Sequence, residues 1–193
     1  MSAEKEFNLI INGVGGQGLV TLLMILAEAA LLEKKEVRTS ELHGLSQRGG
    51  SVEVHCRLGK KIYSPLIKPG CADLIISLEQ QEALRGLIYA QPQTVFLINQ
   101  YQTPTLIKDL EAKEVLAMIK KITSKVYFVP ASELCQKALG TDVVVGIYLL
   151  GYAASQRFLP LKKKSIEAAI KKIIPEKFLE LNLKAFNLSK TKQ

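Results

Sequence analysis

The sequence has no tryptophan, only three cysteines and two histidines, and no apolar run long enough to span a bilayer. Each shortage removes a class of function. Cys56, Cys71 and Cys135 are scattered without a C-x-x-C pair, which argues against an iron–sulfur cluster or zinc site built by this chain alone. They read as three free, buried thiols in a reducing compartment. The longest apolar blocks, residues 19–32 and 143–154, are too short for a membrane span and read as buried helices. Residues 1–6 lack the basic start and apolar stretch of a secretory signal, which points to the cytoplasm and away from a membrane. The net charge of +8 is spread along amphipathic segments, densest at Lys162-Lys163-Lys164 and Lys171-Lys172. No aromatic platform interleaves these lysines, so they read as solvated helix faces rather than a nucleic-acid site.

What is present is a globular chain. At 193 residues with 48% hydrophobic content, it is expected to form one domain over residues 1–193 and to bury a proper core. Apolar runs at 7–12, 36–40, 73–78, 94–99 and 126–129 alternate with helix-forming segments at 19–32, 79–89, 110–122, 132–139, 143–157, 165–174 and 176–188. Asp142 is placed to cap the segment that follows it. Alternating strands and helices predict an α/β fold: a Rossmann-like, open, mostly parallel sheet with helices on both faces. Residues 51–58 alternate like a strand, and Gly59-Lys60-Lys61 reads as a turn back into Ile62-Tyr63-Ser64, predicting an antiparallel hairpin.

The organising stretch is the glycine loop Gly13-Val14-Gly15-Gly16-Gln17-Gly18, set between a strand and a helix. Gly13 lets the chain leave the strand sharply. Gly15 and Gly16 remove side chains where a ligand or another backbone must come close, and Gly18 lets the helix lie near the sheet. The helix N-terminus beyond can hold an anion. A dinucleotide site also wants an acid about twenty residues on; Arg38, Thr39 and Ser40 stand there instead, with Glu41 late. A second segment, 41–50, breaks all periodicity with Gly44, Gly49 and Gly50 and carries Glu41, His43, Gln47 and Arg48. Arg48 offers a planar fork for a carboxylate or phosphate. His43 is a candidate proton donor, with a packing role as the alternative. His55 reads as a strand residue.

The paired glycine loops, Gly13 through Gly18 and Thr39 through Ser51, strongly resemble the small subunit of indolepyruvate:ferredoxin oxidoreductase and, more broadly, the gamma subunit or domain of the 2-oxoacid:ferredoxin oxidoreductases. The similarity continues through Tyr63-Ser64-Pro65-Leu66-Ile67, residues 72–79 and Asn182-Leu183-Lys184-Ala185-Phe186. The resemblance implies an enzyme that oxidatively decarboxylates a 2-oxoacid with coenzyme A to an acyl-CoA, passing electrons to ferredoxin. It places thiamine diphosphate and the iron–sulfur clusters in a larger catalytic partner, so that this chain is expected to be inert alone and to bind no cofactor of its own. Gly13, Gly15, Gly16, Gln17, Gly18, Ser40, Glu41, Gln47, Arg48, Gly49 and Gly50 are the residues expected to bind a ligand or face the partner, with His43 as the catalytic candidate. Two rival readings stand: a free-standing NAD(P)-dependent oxidoreductase using Arg38 and Ser40 for a 2′-phosphate, and a basic nucleotide- or nucleic-acid-binding module.

Overall fold

The computed structural model describes residues 6–44, 49–104 and 110–189. In chain order these contain β1 (Phe7–Val14), α1 (Leu19–Leu32), β2 (Glu36–His43), β3 (Ser51–Gly59), β4 (Leu74–Ser77), a 3-10 helix (Glu82–Tyr89), β5 (Val95–Asn99), α2 (Ala112–Lys120), β6 (Val126–Val129), α3 (Ala131–Leu139), α4 (Val145–Ser155), α5 (Lys163–Ile173) and α6 (Glu176–Leu188). The strands form one sheet in the order β2-β3-β1-β4-β5-β6. β1, β4, β5 and β6 run parallel, whereas β3 lies antiparallel to both β1 and β2.

The central strands are apolar on both faces because helices cover both. Leu9 and Ile11 of β1 turn to one side, where they join Leu22, Leu26, Leu149, Leu150, Ile170 and Phe186 of α1, α4, α5 and α6. Ile10 turns to the other, packing with Ile75, Phe96 and Ile98 against Ala83, Val115 and Ile119 of the 3-10 helix and α2. Such two-faced burial produces the continuous apolar runs of a parallel sheet. Among the described residues no helix is long and apolar enough to cross a membrane.

Several local expectations change. Ile62-Tyr63-Ser64 forms no strand; β3 takes β2 as its antiparallel partner, Glu36 opposite Gly59 and His43 opposite Val52. The Glu36 carboxylate instead accepts the Ile62 N–H at 2.6 Å, turning the chain off the sheet. The helix anticipated over 79–89 is a 3-10 helix from Glu82, because Glu79 spends its carboxylate on the N–H groups of Glu82 (2.8 Å) and Thr103 (3.1 Å). Asp142 does not cap α4 with its side chain; its carbonyl accepts the Val145 N–H at 3.0 Å. Cys71 is exposed, unlike Cys56 and Cys135. Of the two all-apolar helices, α4 is buried, whereas α1 leaves Val20, Met24, Leu31 and Leu32 exposed.

Candidate functional site

The glycine turn closes on its own glutamine. The Gln17 N–H donates to the Val14 carbonyl at 3.2 Å, and the Gln17 Oε1 accepts the Val14 N–H at 2.9 Å. A Cβ on Gly13 would lie 2.5 Å from that oxygen and 3.2 Å from the Leu78 Cβ, so Gly13, which lies inside β1 rather than at its exit, is needed for close packing. Gly16 and Gly18 serve differently. Both hold left-handed backbone, at φ 102° and 77°, with nothing within 4 Å of where a Cβ would stand. Gly18 is therefore required by its dihedral, not by proximity of helix and sheet. No side chain caps α1 and no acid sits in its first turn, so its N-terminal N–H groups face the open side of the turn.

The two glycine loops meet backbone to backbone. The Gly15 N–H donates to the Gly50 carbonyl at 2.8 Å, and the Gly49 N–H reaches the Gly15 carbonyl at 3.4 Å, prolonging the β1–β3 ladder past Val14 and Ser51. The close neighbour anticipated at Gly15 is thus the second loop. Ser51 anchors that loop again, its hydroxyl donating to the Glu82 Oε1 at 2.6 Å. Gln47 and Arg48 lie outside the described residues. Ser40, Glu41 and His43 sit on the edge strand β2, separated from the glycine turn by β3. Glu41 and His43 are exposed, and the His43 Nδ1 lies 3.4 Å from the Gly44 carbonyl. This topology bears on the dinucleotide reading: a ribose contact needs the second strand beside the first, and here an antiparallel strand intervenes.

At the carboxyl ends of β1, β4 and β5 lies a crevice of about 200 Å³, lined by Gly16, Gln17, Asn99, Tyr101, Ser132 and Asp142. The Asn99 amide is fixed there, donating to the Leu78 carbonyl (3.1 Å) and the Ser132 hydroxyl (2.9 Å) and accepting the Ser132 N–H (3.1 Å). The amino ends of α1, α3 and α4 converge on this crevice through Gly16, Ser132 and Asp142. It continues past Gly16, Gln17 and Gly146 into an apolar groove of about 580 Å³ between α1, α4 and α6, with Met24, Val143 and Phe178 on its walls. Asn99, Tyr101 and Ser132 are functional candidates that sequence reasoning missed. The one signal was Asn99 closing a buried apolar strand, the position in an open α/β sheet where ligands bind.

Among the described residues no three His, Cys, Asp or Glu side chains are grouped to hold a metal. Burial pushes the Cys56 thiol up to about 12; burial, followed by the charge of Asp142, pushes Cys135 up to about 11. Cys56 lies on β3, Cys71 ahead of β4 and Cys135 on α3, and no grouping among the described residues gathers them as cluster ligands.

A strand, a glycine turn joined to a second glycine loop, and a crevice at the sheet's carboxyl edge define an α/β protein of the open-sheet class. Residues 8–190 match the pyruvate ferredoxin/flavodoxin oxidoreductase family, and the chain belongs to it. It is 39% identical over 192 residues to indolepyruvate oxidoreductase subunit IorB of Archaeoglobus fulgidus, covering 95% of this chain and 93% of that one. It is 30% identical over 179 residues to the pyruvate/ketoisovalerate oxidoreductases common subunit gamma of Pyrococcus furiosus, covering 90% of each. The 2-oxoglutarate:ferredoxin oxidoreductase of Magnetococcus marinus, solved with 2-oxoglutarate, coenzyme A and succinyl-CoA bound, shares the fold at a TM-score of 0.72 and 18% identity. The likeness covers 98% of this chain but 32% of that one.

Proposed function

We propose that this chain is the small subunit of a 2-oxoacid:ferredoxin oxidoreductase acting on indolepyruvate. The observation that carries the reading is the end-to-end similarity to an indolepyruvate oxidoreductase subunit. The chemistry of the described side chains supports a division of labour. The reading places thiamine diphosphate and the iron–sulfur clusters in a larger catalytic partner, which passes electrons to ferredoxin, and the scattered cysteines of this chain support it. This chain supplies the crevice at the glycine turn, and the reading assigns coenzyme A to it. Three helix amino ends offer N–H donors and partial positive charge to an anionic group. The adjoining apolar groove accommodates a long, weakly polar tail. Arg48, next to Gly49 in the sequence, is the residue the reading assigns as the source of formal positive charge.

The test is reconstitution. The purified chain alone is expected to give no turnover. Mixed with its larger partner, it should restore viologen reduction that requires both indolepyruvate and coenzyme A. Turnover by this chain alone, or full activity of the partner without it, overturns the reading.

A further inference from the structure

The helix α1 inverts the usual pattern of a surface helix, which buries its apolar stripe and shows polar residues to water. Val20, Met24 and Leu31 are 43%, 49% and 58% exposed, and Ala27 between them is half-buried. Steps of four, three and four residues put these side chains in one line along the helix. The helix has 14 residues and is therefore about 21 Å long. Its outer face is apolar along most of that length.

Spacing and charge together set what covers this line. Alternating steps of three and four residues form the seam by which one α-helix packs its side chains into the holes of another. The surroundings are basic. Lys172 of α5, 65% exposed, lies beside the stripe with its Nζ 2.7 Å from the Glu28 Oε1. Exposed Lys34 follows the last turn, its N–H donating to the Leu31 carbonyl at 2.9 Å. Exposed Lys162 stands at the same end, where its N–H donates to the Glu33 Oε1 at 2.6 Å. Glu28 and Glu33 thus spend their carboxylates within the chain. A second copy of this chain fits poorly, because an antiparallel pair of α1 helices sets the Lys172 flank of one copy against the same flank of the other. Nucleic acid matches the lysines but leaves the aliphatic line uncovered.

We propose that the outer face of α1 docks an amphipathic helix of the larger catalytic subunit, one with an apolar seam of matching spacing and carboxylates on the flank that meets Lys172. The proposal rests on the subunit reading and adds the place and chemistry of assembly. It also ties assembly to the glycine turn. Met24 is a wall of the apolar groove beside that turn, so a helix seated on α1 closes that side of the groove.

Calorimetric titration of the full chain with the purified larger subunit tests the surface, with a thermal melt of each variant as the check of folding. Met24→Glu and Leu31→Glu change exposed positions and should melt with the parent. Each should weaken binding by about ten- to hundred-fold, the loss expected at the centre of an interface. Lys172→Glu should weaken it too and flatten its dependence on salt. Ile88→Glu, at an exposed apolar position on the 3-10 helix across the sheet, should bind as the parent does. If Met24→Glu melts early, Leu31→Glu in the last turn and Lys172→Glu carry the test. The proposal is overturned if the folded stripe variants keep parental affinity. It is equally overturned if the parent sediments as a homodimer that Leu31→Glu dissociates, which gives the face to a second copy. Reconstituted activity separates the two readings. Parental turnover with undiminished binding of the stripe variants sinks the docking surface alone, whereas no turnover by the parental mixture sinks the subunit reading and this proposal with it.

Discussion

Gly151 is the least replaceable residue in the packing of α4 on α6. A Cβ at this position would stand 2.1 Å from the Phe186 carbonyl oxygen and 2.9 Å from the Ser189 hydroxyl. Real Cβ contacts essentially never fall below 3.0 Å, so Gly151→Ala must drive α6 away by roughly 1 Å at a backbone atom that cannot rotate aside. Overpacking of this kind costs about 1–3 kcal/mol and occasionally more. A glycine-to-alanine change inside a helix returns only about 0.8–1 kcal/mol. The obstacle is main chain and the displaced Phe186 is fully buried, which puts the cost at or beyond the top of that range. A net loss of about 2 kcal/mol follows. For a chain of this length it lowers the melting temperature by roughly 4–8 °C. Gly146→Ala should cost less, because its nearest obstacles are Leu22 side-chain carbons, at 2.8 Å and beyond. Thermal melts of the two variants beside the parent decide the matter. If Gly151→Ala melts at or above the parental temperature, the reasoning from backbone contact is wrong.

Other outcomes are equally open to measurement. Gly18→Asn should be tolerated better in thermal melts than Gly18→Val, since the position demands a left-handed backbone with open space around it, and a β-branched residue resists that conformation. Arg48→Ala should reduce the activity of the reconstituted enzyme by about ten- to hundred-fold, and Arg48→Lys should not restore it, because the planar fork is lost; parental rates and Michaelis constants in both variants would make the loop scaffolding. Burial raises the Glu79 carboxyl above its ordinary 4.5, outweighing the backbone N–H groups that it accepts. Its folded form therefore holds a proton more readily than the unfolded chain, and the penalty for its charge is fully present above the raised value and disappears as the pH falls toward 4.5. Parent minus Glu79→Gln stability, followed by denaturant melts across that window, should rise on acidification; a flat difference would refute the assignment.

Much of the architecture was legible because its physical causes are local. The helix Leu19–Leu32 falls where glycine spacing and apolar runs place it, and α6 matches its anticipated bounds, whereas β1 runs two residues past its anticipated end and takes in Gly13 and Val14. The paired loops carried the family resemblance. Partner choice in the sheet was not legible. Residues 51–58 alternate as a strand should, but alternation states which face is buried and says nothing about which neighbour completes the ladder. Gly59-Lys60-Lys61 looked like a hairpin turn, yet β3 pairs with β2 across the second glycine loop and so separates β2 from β1.

The sequence by itself determined the alternation of strands and helices, the two glycine loops and the scattered cysteines, because each depends on residue type and spacing along the chain. Tertiary structure alone decided what those pieces do together. It joined Gly15 to Gly50, so that two loops more than thirty residues apart in sequence form one surface. It brought Asn99, Tyr101 and Ser132 to the glycine turn, and it made His55 the buried support of Glu53 rather than an ordinary strand residue. These contacts are long-range. Their energies come from desolvation and hydrogen-bond geometry, which exist only once the sheet order places distant segments side by side.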